Sequence, residues 1–222
     1  TICTKYAVDG TRYDVHNGDG FDPDSCQNVV VRNCTIESQD DCIAIKSGRD
    51  EEGRRVGIPS ENVLVEDCNF RYGFGVAVGS EMSGSVRHVL VRNCVFEDTH
   101  SLGSVKAPRG RGGVIEDVVY ENIRHRNDKA EHKDCKWFRG AILVDQFYSH
   151  DDYDFDVAES CDEGTALIKD IVFRDIETDT KAGNAIFLAG LPEQYLENIQ
   201  LINVTAHGKT GMIAGNVQGN GS

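Results

Sequence analysis

The sequence predicts an all-β fold, a right-handed parallel β-helix, on three observations. A short alternating motif recurs six times, a second short apolar strand follows each copy, and an Asn or Asp stands at the same place in every copy. The copies are VVVRNCTI (29–36), VLVEDCNF (63–70), VLVRNCVF (89–96), VVYENIRH (118–125), IVFRDIET (171–178) and IQLINVTA (199–206). Alternation of apolar and polar residues with period two marks strands rather than helices. The second strands are CIAIK (42–46), GVAVG (75–79), GSVKA (103–107), AILVD (141–145), NAIFL (184–188) and GMIAG (211–215). Two short strands per unit cannot bury an apolar face alone, but stacked units bury a continuous core, which makes a solenoid. No hexapeptide period points to a left-handed β-helix, and no L-x-x-L-x-L consensus points to a leucine-rich repeat.

The anchor residues of the six copies are Cys34, Cys68, Cys94, Ile123, Ile176 and Val204, spaced by 34, 26, 29, 53 and 28 residues. The 222 residues are read as a single domain, with a loop excursion at about 126–165 inside the long interval. Stacking turns equivalent positions into columns. A position shared by Cys, Ile and Val is a small buried hydrophobe, so Cys34, Cys68 and Cys94 are expected to be free thiols although the chain has an even count of 8 Cys. The residue beside each anchor (Asn33, Asp67, Asn93, Asn122, Asp175 and Asn203) is expected where the coil turns, because short polar side chains tolerate turn geometry and bond nearby backbone.

Composition removes several function classes. The net charge of −14 argues against nucleic-acid binding, which needs a basic footprint. No run of about 18 apolar residues is present, so no membrane-spanning helix is expected. Charge and hydrophobic content are otherwise ordinary for a globular chain.

Carboxylates crowd the early coils. NGDGFDPDS (17–25) carries Asp19, Asp22 and Asp24, and SQDDCIAIKSG (38–48) carries the doublet Asp40–Asp41. Stacking would bring Asp19 beside the doublet. Like charges at close range raise at least one pKa, which keeps a carboxyl protonated for general-acid work. Paired carboxyls are also the apparatus of glycoside hydrolysis. Asp-Gly and Asp-Pro are equally common turn formers, and acidic clusters also bind calcium, so the residues alone leave these readings open.

Four segments together are more specific. NGDGFDPDS, QDDCIAIKSG (39–48), GFGVAVGSE (73–81) and SVKAPRGRGG (104–113) resemble, in order, the motifs of glycoside hydrolase family 28, the polygalacturonase-like pectinases. The resemblance implies an inverting glycosidase acting on pectic polysaccharide, of polygalacturonase or rhamnogalacturonan type, with no cofactor and no metal. It implies that Asp40 is the general acid and that Asp19 and Asp41 hold and deprotonate the attacking water. Lys106 and Asn17 correspond to the substrate-contacting Lys and the orienting Asn. Tyr148, Glu81, Arg109 and Arg111 are candidates for sugar contacts, as is Phe74. Simple alternation puts Lys106 and Lys46 outward and Val105 and Ile45 inward.

Gly18 stands in place of the motif Thr, and two further departures matter: Phe74 stands where the motif has His, and Ser104 where it has Arg. Phe cannot exchange a proton, and Ser cannot clamp a carboxylate as a guanidinium does. Homogalacturonan, a mixed backbone and short oligomers therefore all remain as substrates. The rival readings are a calcium-dependent lyase on the same scaffold and a weakened pectin-binding relative. The expected full-length protein is secreted or periplasmic and monomeric, with further coils beyond one or both ends of this chain.

Overall fold

The computed structural model describes residues 1–4, 17–129 and 137–221. Two parallel sheets wind through it as a right-handed β-helix. One has ten strands and carries the six motif copies, among them Val86–Glu97, Val114–Asn127, Leu167–Thr180 and Leu196–His207. The other has six strands, and each overlaps one of the expected second strands: Ile43–Ile45, Val76–Val78, Gly103–Lys106, Gly140–Asp145, Asn184–Ala189 and Thr210–Gly215. Val, Ile and Phe from the inner faces fill the space between the sheets, which supplies the burial a lone coil lacks.

The register makes the anchors a single column. Cys94 pairs with Ile123, Ile123 with Ile176, and Ile176 with Val204. Thr35 pairs with Asn69 and Asn69 with Val95, which brings Cys34, Cys68 and Cys94 into line beside them. All three thiols are free. The adjoining Asn33, Asp67, Asn93, Asn122, Asp175 and Asn203 all have φ between 51° and 55°. This left-handed region suits Asn and Asp better than other side chains. A second such column, Asn28, Asn62, His88, Asp117, Asp170 and Asn198, has φ between 51° and 59°. His88 shows that a ladder position can depart from Asx when a neighbour compensates: its Nδ1 lies 2.7 Å from Asp117 Oδ2.

The long interval differs from a simple excursion. Strand Gly140–Asp145 divides it, leaving one insertion before the strand and another after it. The central part of the first, residues 130–136, lies outside the described residues. In the second, the acidic stretch 149–156 packs Tyr153 and Phe155 onto Leu143, Phe147 and Phe187. Its aromatics thus cover the outer face of the six-stranded sheet.

Candidate active site

Two glycines let the first coils close upon each other. A side chain at Gly20 would meet the Cys42 carbonyl at 2.5 Å, and Gly20 N–H instead donates to the Asp41 carbonyl at 2.9 Å. Gly73, at φ +84°, passes the Asp40 carbonyl where a Cβ would lie at 2.6 Å. Bridges Phe21–Ile43 and Asp24–Lys46 fix the register between these coils. Asp19 and the doublet are thereby brought together. The Asp41 N–H donates to Asp19 Oδ1 at 3.1 Å and to Asp40 Oδ1 at 2.9 Å, and one oxygen from each of the three carboxylates lies within 4.8 Å of the others.

Two lysines balance the cluster. Lys46 Nζ donates to Asp19 at 3.0 Å and to Asp22 at 2.6 Å. Lys106 Nζ donates to Asp41 Oδ2 at 2.7 Å. Three close carboxylates are also the start of a cation site, but here two ammonium groups already supply the counter-charge. Burial raises the Asp40 pKa, and the Asp19 charge adds to the effect while Lys106 opposes it. Burial pushes Asp41 up to about 7 against the pull of Lys106. Asp22 is raised to about 6 by burial and by its neighbour Asp19. Burial works against the charge on Lys106, but Asp41, with Tyr148 and Asp40 behind it, outweighs that and holds the ammonium above its usual pKa.

The arrangement can therefore hold a proton on a partly exposed carboxyl, Asp40, while two further carboxyls stand beside it. Asn17 Nδ2 contacts Asp40 Oδ2 at 3.4 Å, consistent with an orienting amide. Lys106 points away from the core, as alternation requires, yet is only 2% exposed. The reason is a cover that alternation does not see. The Tyr148 ring lies 4.9 Å from its Nζ and the Phe138 ring 5.8 Å. Burial and the nearby acidic groups push the Tyr148 phenol up to about 12, with Lys106 opposing.

The departures from the family pattern also have structural consequences. Phe74 stacks on Phe138, ring centroids 3.4 Å apart, and tilts against His100 at 5.0 Å. Its N–H donates to the Asp40 carbonyl at 3.0 Å, so it adjoins the doublet. Ser104 sits between Ala77 and Leu143 in the sheet register, fully buried, with no partner for its hydroxyl among the described residues.

The remaining candidates are committed elsewhere. Arg109 forks onto Glu193 at 2.6 and 3.0 Å and lies over Phe147. Arg111 binds Asp50 and the Ser80 carbonyl, and Glu81 approaches Arg111 at 4.0 Å rather than pairing with Lys46 or Lys106. Arg109 thus ties its turn to Glu193, and Arg111 ties it to Ser80 and to the first residue of helix Asp50–Val56. The approach of Phe138 to Lys106 was not legible. Its segment, WFRG (137–140), reads in sequence as loop aromatics before a strand.

The sequence profile of the glycosyl hydrolases family 28 matches residues 2–221. A probable polygalacturonase of Vitis vinifera is 32% identical over 86% of this chain and 36% of its own length. A polygalacturonase of Ralstonia solanacearum is 31% identical over 61% of this chain and 23% of its own. Among solved structures, the exopolygalacturonase of Thermotoga maritima superposes with a TM-score of 0.68 at 27% identity, over 93% of this chain and 45% of that one. The polygalacturonase of Erwinia carotovora gives 0.68 at 22% identity and shares the fold. The chain thus spans about a third of the length of the Vitis relative and under half of the solved enzymes.

Proposed function

The chain belongs to the glycosyl hydrolases family 28, and from that premise we propose that the protein hydrolyses pectic polysaccharide at the Asp19–Asp40–Asp41 cluster. The observation that supports this most is the convergence of three carboxylates from two coils beside a buried, charged lysine. Asp40 is the general acid that protonates the leaving oxygen, since it is partly exposed and its pKa is raised. Asp19 and Asp41 hold the attacking water and take its proton. Inverting glycosidases usually set two carboxyls about 6.5–9.5 Å apart to leave room for that water. The nearest oxygens of all three carboxylates here are closer than that, so the single-displacement reading is carried by membership of the family and not by this spacing. Tyr148 lines the sugar-binding side above the buried Lys106, with Asn17 orienting Asp40.

A lyase would need a strong neutral base. Lys106 is held protonated against Asp41, which disfavours it for that work. A polymeric pectic substrate is met outside the cytoplasm, so the protein is placed as secreted or periplasmic. The test is reducing-sugar release on homogalacturonan and on rhamnogalacturonan, with ultraviolet absorbance of the products followed in parallel. Release from either polymer without unsaturated products is expected. Unsaturated products would indicate a lyase, and no release from either would overturn the reading.

A further inference from the structure

Arg139 precedes strand Gly140–Asp145, Asp145 ends it, and both are almost wholly out of water. Neither belongs to the carboxylate cluster. A buried guanidinium is tolerated only when its donors are satisfied, and the way this one is satisfied is informative. Arg139 donates to Asp145 Oδ2 at 3.2 Å, to the Phe147 carbonyl at 3.5 Å and to the His150 carbonyl. The other Asp145 oxygen accepts the Phe147 N–H at 2.7 Å. The guanidinium also lies 5.1 Å from the Tyr153 ring and 5.4 Å from Phe187. The rigid fork of Arg thus ties both ends of the turn after the strand.

Tyr148 sits on that turn, between the two carbonyls Arg139 holds. Its ring covers the Lys106 ammonium on one side and meets Trp137 edge-on, centroids 5.3 Å apart, on the other. Asp145 is in turn the register partner of Lys106 in the next coil. One ion pair therefore links the strand carrying Asp145 to the residue that roofs the Lys106–Asp41 contact.

We propose that Arg139 is a positioning residue: by clamping the Phe147 and His150 carbonyls it holds Tyr148 over the Lys106–Asp41 pair without touching that pair itself. Its effect on turnover rests on the hydrolase reading above, but its effect on Tyr148 does not.

Trp137 is the single tryptophan of the chain and touches Tyr148, so its fluorescence reports the turn without any substrate. The experiment compares wild type, Arg139→Gln, Tyr148→Ala and the double variant, all below their melting temperatures and folded by circular dichroism. Arg139→Gln is expected to shift Trp137 emission to the red and raise its quenching by acrylamide, as Tyr148→Ala does. On a pectic polymer it is expected to lower kcat/KM by about 10- to 100-fold, the size that misplacing a site group costs. The double variant is expected to be no worse than Tyr148→Ala, since both changes act through one group. Normal Trp137 emission and normal kcat/KM per folded molecule in Arg139→Gln, at a lowered Tm, would overturn the proposal, as would losses that multiply in the double variant. If Arg139→Gln does not fold, Arg139→Lys keeps the charge for Asp145 while losing the fork, and the same emission change is expected. If wild type releases no sugar, the hydrolase reading fails while the fluorescence result still decides the role of Arg139.

Discussion

Lys106 Nζ lies 2.7 Å from Asp41 Oδ2, and both side chains are nearly excluded from water, at 2% and 6% exposure. The second Asp41 oxygen is buried without a partner among the described residues. Removing one member of such a pair strands the other charge. Lys106→Met is therefore expected to cost about 3–5 kcal/mol in urea unfolding and to abolish turnover. The double variant Lys106→Met, Asp41→Leu should recover most of the stability and none of the activity. A stability loss in the double variant as large as in the single one would show that the pair is not the unit described.

The raised carboxyl pKa values set a pH dependence whose sign is fixed. The folded state binds protons on Asp41, up to about 7, and on Asp22 and Asp145, each up to about 6, more tightly than the unfolded chain does. Protonation thus favours the native state: this contribution is fully present below the ordinary carboxyl pKa and is lost as pH rises through about 6 to 7. Denaturant midpoints are expected to fall between pH 5 and pH 8, and Asp41→Asn should flatten the profile. Turnover should decline on the alkaline side as Asp40 loses its proton.

Ser104 offers a test of how the floor beneath the aromatic cover is built. Its buried hydroxyl has no partner among the described residues, so Ser104→Ala is expected to leave stability unchanged or raise it by up to about 1 kcal/mol. Ser104→Arg would force a guanidinium into a fully buried position beside Ala77 and Leu143. It is expected to lower the melting temperature rather than restore a carboxylate clamp. Thermal melts of the two variants decide this.

Much of the fold was legible because the β-helix writes its register into the chain. The Cys34–Cys68–Cys94 column and the flanking Asx residues follow from counting alternation, and the structure returns them as one column and one row of left-handed turns. The carboxylate cluster was legible for the same reason: stacking two coils puts Asp19 beside Asp40 and Asp41. The aromatic cover was legible only in part: Tyr148 was a candidate and Phe138 was not, since both reach Lys106 from insertions that carry no repeat and depend on long-range packing. The partners of Arg109 and Arg111 were not legible for a related reason. Sequence shows a guanidinium in a glycine-rich turn, but not that Glu193 and Asp50 come within reach of it.

Division of labour within the cluster predicts stereochemistry. If Asp19 and Asp41 activate the water while Asp40 protonates the leaving oxygen, as proposed, the first-formed reducing end should carry the inverted anomeric configuration. Proton NMR of the early product on a pectic oligomer measures it. A retained configuration would assign one carboxylate as a nucleophile instead.

The most direct measurement is turnover of Asp40→Asn against wild type on the pectic polymer that wild type cleaves best. A raised, partly exposed carboxyl that donates the leaving-group proton should cost about 10²- to 10⁴-fold in kcat when made an amide, with the melting temperature unchanged or raised. Turnover within a few-fold of wild type would contradict the account, because the proton would then have to come from a group outside the Asp19–Asp40–Asp41 cluster.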